Sequence, residues 1–156
     1  MSVAHAQQVA QQSCDSLESR QFDFWVGDWD LTYGDGKSGH NRITKILGGC
    51  VLLEEFTGAP GVELNGRSFS TFDRYGRKWK QTWVDDTASY LDFTGGLVDG
   101  RMILSREGER NGQKFQQRMV FEDIQANSLR WLWQRSDDQG ATWKTLWQID
   151  YRRRAP

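Results

Sequence analysis

Glu54 and Asp85 are the residues of this 156-residue chain best suited by type and neighbours to proton chemistry, because burial in a β-rich fold lifts a carboxyl toward the working range of an acid or base. Around them stand residues suited to recognition. Gln81, Asp85 and Arg135 share strand faces with Trp83, Trp131 and Trp133, and Trp147 and Tyr151 lie on the last strand. Aromatic walls with a few polar anchors are what a pocket for a small hydrophobic or aromatic ligand needs. Two functions follow. The first is binding of such a molecule by Gln81, Trp83, Asp85, Trp131, Trp133, Arg135, Trp147 and Tyr151. The alternative is an enzyme that isomerises, cyclises or demethylates a small molecule, with Glu54 or Asp85 beside a Tyr as the acid/base group. A structural or partner-binding module without a pocket is a third, plainer reading.

Other chemistries lack their residues. The chain has two histidines, His5 and His40, too few for a hydrolase triad or a zinc centre, and no Cys-x-x-Cys, so neither a metal nor a cofactor is expected. Gly34-Asp35-Gly36-Lys37-Ser38-Gly39 has the glycine spacing of a dinucleotide loop, but a strand follows it rather than the helix whose N-terminus would hold a pyrophosphate. It reads as a hairpin loop. Ser136-x-Asp138-x-Gly140-x-Thr142-Trp143 fits the Asp-box pattern, in which the Asp braces a hairpin turn and the Trp packs beneath it. Arg152-Arg153-Arg154 reads as a solvated end with one Arg packed inward.

The elements that must position these groups are strands. From Gly27 onward short alternating runs are separated by Asp35-Gly36, Asn65-Gly66, Arg74-Tyr75-Gly76, Asp99-Gly100, Asn111-Gly112 and Asp138-Gln139-Gly140, which supply the positive-φ positions of tight turns. The pattern predicts about ten strands, near 27–34, 40–47, 50–58, 66–74, 77–85, 89–95, 100–107, 113–122, 128–135 and 142–152. Consecutive short strands with no long crossover can form an up-and-down barrel, a Greek-key sandwich or an open sheet. Only the barrel removes both exposed edges, and the expected fold is an all-β antiparallel up-and-down barrel over residues 14–156. Gln21-Phe22-Asp23-Phe24-Trp25 is the one short helical turn, and its aromatics can plug an end.

Alternation assigns the faces. Lys78 and Lys80 turn Trp79, Gln81, Trp83 and Asp85 inward; Leu129, Trp131, Trp133 and Arg135 share a face; Trp143, Thr145, Trp147, Ile149 and Tyr151 are expected inward on the last strand. The eighth strand, where Gln116 and Arg118 alternate with Phe115, Met119 and Phe121, is ambiguous. Polar groups inside such a barrel must pair with one another or meet water or a ligand. A bridge between Arg and Asp at a rim, with the rings simply packed, is the competing arrangement.

Phe22-Asp23-Phe24-Trp25-Val26-Gly27-Asp28-Trp29-Asp30 resembles the opening of an uncharacterised bacterial family of lipocalin-like proteins. Ile46-Leu47-Gly48-Gly49-Cys50-Val51-Leu52-Leu53-Glu54 and Trp79-Lys80-Gln81-Thr82-Trp83-Val84-Asp85 extend the resemblance. Gly27-x-Trp29 is similar to the calycin signature, in which the Trp closes the barrel base under a basic residue of the last strand. The resemblance implies a nitrobindin-like barrel of about ten strands, with Arg152 or Arg154 as that residue and no established activity. Haem ligation of the nitrobindin kind would need a late histidine, and residues 114–156 contain none.

Charge and termini bound the setting. A net charge of −1 gives no broad field for nucleic acid or an anionic membrane, and no apolar run approaches the ~18 residues of a membrane helix. The expected partner is a small ligand, with monomer and homodimer both open. Ala4-His5-Ala6 has the small-x-small form of a signal-peptidase site, which points to a periplasmic or secreted protein, and residues 1–13 are expected to be a disordered tail. Cys14 and Cys50 then form either a bridge or two separate buried thiols.

Overall fold

The computed structural model describes residues 14–156. The expected tail and the Ala4-His5-Ala6 segment lie outside the described residues. Ten strands follow one another: β1 (Gly27–Tyr33), β2 (Ser38–Ile46), β3 (Val51–Thr57), β4 (Asn65–Asp73), β5 (Lys78–Asp85), β6 (Tyr90–Val98), β7 (Arg101–Arg110), β8 (Gln113–Glu122), β9 (Ser128–Ser136) and β10 (Lys144–Arg153). Each pairs antiparallel with its sequence neighbours, and β10 pairs with β1, so the sheet closes into an up-and-down barrel. Closure gives each of these strands a paired neighbour on both sides.

Turn chemistry drives the meander. Asp99 and Gly100 have φ of 50° and 76°, and Asn111 and Gly112 have 53° and 75°, so β6–β7 and β7–β8 are joined by two-residue turns with both central residues left-handed. Asn65-Gly66, expected as another turn, instead begins β4. Gly66 is needed there for space, because a Cβ would overlap the Trp83 ring lying across it.

The base is closed by the chain segment before β1. Two short 3-10 turns, Glu18–Arg20 and Asp23–Trp25, bring Phe22 and Trp25 into the barrel end, where both pack on Phe121 with ring centroids 5.0 and 5.1 Å away. Trp29 is fully buried and donates its indole N–H to the Trp25 carbonyl at 2.8 Å. The guanidinium over its ring, at 4.2 Å, belongs to Arg153, not to Arg152 or Arg154. The reason is alternation: Ile149 and Tyr151 face inward, so Arg153 does too, opposite Trp29 in the β1–β10 register. Arg153 also donates to the carbonyls of Val26 and Ala126. Arg154 points outward to Asp30. A disulfide joins Cys14 to Cys50, tying the leading segment to the turn before β3 at this same end.

A bulge changes the last strand. The register between β10 and β9 shifts between Thr145 and Trp147, leaving Leu146 as the extra residue. Trp147, Ile149 and Tyr151 stay inward, but Thr145 and Trp143, expected inward, turn out. Thr145 accepts from Gln134, and Trp143 lies beneath the Arg118 guanidinium at 4.0 Å. The Asp-box residues brace the β9–β10 turn: Asp138 accepts from Thr142 N at 2.8 Å and from the Ser136 hydroxyl at 2.7 Å.

Candidate functional site

Inside the barrel is a cavity of about 250 Å³. Its floor is Trp25, from the plug. Its wall is built from alternate residues of six strands: Glu54 and Phe56 of β3, Gln81 and Trp83 of β5, Leu91 and Phe93 of β6, Met119 and Phe121 of β8, Trp131 and Trp133 of β9, and Trp147, Ile149 and Tyr151 of β10. Leu64, from the loop between β3 and β4, stands at the mouth.

The upper wall is aromatic. Trp131 and Trp133 point the same way from β9 and hold parallel rings 6.4 Å apart; Trp147 meets Trp131 edge-on at 5.9 Å, and Phe93 meets Trp133 at 5.8 Å. Phe56 bridges Trp83 and Trp147 at 5.8 and 6.1 Å. Trp83, Trp131, Trp133 and Trp147 are only half-buried, unlike Trp25 and Trp29.

The deep wall is polar and tightly bonded. Asn41 donates one amide hydrogen to Glu54 Oε1 at 2.8 Å and the other to the Tyr151 oxygen at 3.1 Å. Ser68 Oγ lies 2.5 Å from Glu54 Oε2, and Gln81 donates to Ser70 Oγ at 2.8 Å. Burial raises the Glu54 carboxyl above its ordinary range, although the bonds from Ser68 and Asn41 favour the charged form. Burial also raises the Tyr151 phenol, and Glu54 adds to the effect.

Of the residues the sequence nominates, Gln81, Trp83, Trp131, Trp133, Trp147 and Tyr151 come together on this wall, while Asp85 and Arg135 stand outside the lining. Asp85 ends β5, and its carboxylate accepts from Trp83 Nε1 at 2.8 Å, from Thr87 N and Oγ1 at 2.9 and 2.6 Å and from Ser89 N at 3.2 Å. Partial burial opposes ionisation, but these donors outweigh it and hold the group down at about 2. Asp85 is therefore a turn brace that orients an indole, and its acidity moves opposite to what an elevated-pKa catalyst needs. Arg135 sits at the rim, bonded to Asp137 and lying over the Phe115 ring at 4.1 Å.

Much of the lining goes unmarked by alternation within single strands: Trp25 reads only as part of a plug, and Phe56, Leu64, Leu91, Phe93, Met119 and Phe121 are not among the nominated residues. Register was the signal that could have found several of them. Residues directly opposite across a ladder point to the same face. Trp83 faces Leu91, Gln81 faces Phe93, Trp133 faces Met119 and Trp131 faces Phe121, which also settles the ambiguous eighth strand.

Among the described residues no group of three or more His, Cys, Asp or Glu could hold a metal ion. The family model described as "Protein of unknown function (DUF1579)" matches residues 20–153. No curated protein matches the chain.

Proposed function

The chain belongs to the DUF1579 family, and we propose that its barrel is a receptor for a small hydrophobic or aromatic molecule held in the central cavity. The observation that carries this reading is the cavity itself, bounded by four half-buried Trp side chains. Protein cores ordinarily close-pack, and an apolar void forfeits dispersion contacts on its lining. A cavity of ~150 Å³ holds a benzene, so about 250 Å³ at close-packed density suits a flat molecule of up to three fused rings, or of two rings bearing a polar substituent. The way in lies at the end opposite the plug. There β6 and β7 pair only from Thr94↔Ser105 to Val98↔Arg101, so Tyr90–Phe93 and Arg106–Arg110 are not zipped together above the cavity.

The lipocalin-like character belongs to this proposal, supported by the Trp29–Arg153 closure of the base. A periplasmic or secreted location does as well, supported by the Cys14–Cys50 bridge, since such bonds persist in oxidising compartments.

Titration with the neutral dye 1-aminoanthracene tests the reading. Saturable one-site fluorescence enhancement is expected, and it is expected to be lost in Leu91→Trp, which fills the mouth of the cavity, with melting temperature nearly unchanged. No saturable binding by the wild type, or equal binding by Leu91→Trp, would sink the receptor.

Glu54 favours a second reading, acid/base turnover of the bound molecule. Its carboxyl is buried, raised and linked to Tyr151 through Asn41. Turnover abolished by Glu54→Gln with dye affinity retained would establish it; binding without turnover leaves the receptor.

A further inference from the structure

The floor of the cavity holds a buried donor without a partner. Trp25 is 2 % exposed and lines the cavity, and its Nε1 makes no hydrogen bond. Leaving such a group unsatisfied forfeits the hydrogen bond it would make to water in the unfolded chain. Trp79 Nε1 is also orphaned, but Trp79 packs between Phe22 and Phe72 and does not line the cavity.

Tyr151 supplies a second donor beside it. Both amide hydrogens of Asn41 are in use, one on Glu54 and one on the Tyr151 oxygen. The phenol therefore accepts from Asn41 and keeps its own hydrogen for another acceptor. The Trp25 indole approaches the same hydroxyl, where it favours the phenolate form, without completing a hydrogen bond to it. An indole N–H and a phenol O–H thus stand next to each other at the bottom of a chamber whose upper wall is aromatic.

The charge of the lining narrows the class of acceptor. Among the described residues Glu54 is the one carboxyl on the wall, and no Lys or Arg lines it. A ligand carboxylate seated there would be desolvated without a counter-ion and would face another carboxyl.

We infer that Trp25 Nε1–H and Tyr151 Oη–H together bind the oxygen of a neutral carbonyl group, so that the ligand of this barrel is a one- or two-ring ketone or aldehyde inserted carbonyl-first. This rests on the receptor reading and specifies its ligand class. The rings of the molecule lie against Trp131, Trp133 and Trp147, and the carbonyl reaches the floor.

Displacement of bound 1-aminoanthracene at about pH 7.5 tests the inference with three probes of one shape: 2-acetylnaphthalene, its hydrocarbon isostere 2-isopropenylnaphthalene, and 2-naphthoate. The ketone is expected to displace the dye at about tenfold lower concentration than the alkene, and naphthoate to be the weakest, because one or two buried hydrogen bonds separate ketone from alkene. Tyr151→Phe keeps the ring and removes its hydroxyl donor, and Trp25→Phe removes the indole donor together with part of the ring. Either is expected to reduce the ketone preference, read as the ratio of ketone to alkene displacement within each variant, to about threefold or less. Trp25 also packs the plug, so Tyr151→Phe carries the test if Trp25→Phe unfolds. Equal displacement by ketone and alkene, naphthoate as the tightest probe, or a preference that survives Tyr151→Phe overturns the inference while a bound dye leaves the receptor standing. Failure of the dye itself to bind overturns both.

Discussion

The base and the mouth of the barrel are built from the same residue type and behave as opposites. At the base, Trp29 is covered on every side: Arg153 lies over its ring, Tyr151 meets its edge at 5.8 Å, and its N–H is bonded to the Trp25 carbonyl. Toward the mouth, Trp131, Trp133 and Trp147 pack on one another along one edge and present the other to the cavity. What separates them is the covering chain. Residues 18–26 fold across the base, whereas at the other end the β3–β4 loop contributes Leu64 to the cavity lining and packs Val62 on the core. One end is packed throughout, and the other leaves aromatic surface facing a cavity.

Breaking the base should show the largest effect. Trp29→Ala removes a fully buried ring and leaves Arg153 without its packing partner, so a loss of about 3–5 kcal/mol in urea unfolding is expected. Loss below about 1 kcal/mol would mean that the base is not the stabilising end.

The disulfide belongs to the same region. It closes a sequence separation of 36, for which loop-closure entropy gives about 4 kcal/mol. The paired Cys14→Ser, Cys50→Ser variant is expected to unfold at correspondingly lower urea, with 1-aminoanthracene affinity of the folded protein unchanged. A drop in affinity that matches the drop in stability would erase the distinction between the two ends.

Trp133→Ala should invert the pattern. Its ring is half-buried and faces the cavity, so about 1–2 kcal/mol of stability is at stake, while dye affinity is expected to fall about tenfold. Fluorescence titration alongside urea unfolding reads both quantities on one sample.

Glu54→Gln is the smallest effect and the one that depends on pH. Folding raises this carboxyl above its ordinary value of 4.5, so its contribution to stability is full below that value and is lost as pH rises through the raised value. A glutamine keeps an acceptor for Asn41 and a partner for Ser68 without ionising. The variant is expected to match the wild type below the ordinary carboxyl value and to gain on it as pH rises toward the raised one. Thermal melts across that range check it, and parallel curves would mean that Glu54 is not desolvated as the fold implies.

The strands were legible because their turns were. Asp99-Gly100 and Asn111-Gly112 fall where predicted, and the strand boundaries differ by only a few residues, most at the ends of β6 and β7. Asn65-Gly66 misled because glycine answers two different needs, a left-handed turn and room for a neighbour's ring, and the dipeptide alone does not say which. The site was legible in part. Alternation placed Gln81, Trp83, Trp131, Trp133, Trp147 and Tyr151 on the wall, and it failed for Trp143, where a bulge at Leu146 reverses the face. It failed also for Asp85 and Arg135, which have inward parity but sit at strand ends, where a side chain can turn to a loop instead.

Period-two patterning and turn residues were enough by themselves to determine an all-β meander, the identity of most inward faces and an aromatic interior, because these are local properties of backbone geometry and hydrophobicity. Closure of β10 on β1, the seating of Trp25 beneath the cavity and the convergence of Asn41, Glu54, Ser68 and Tyr151 were decided only in three dimensions. Each depends on a register between strands or segments far apart in the chain. Register is set by the closed barrel as a whole and is carried by no single stretch of residues.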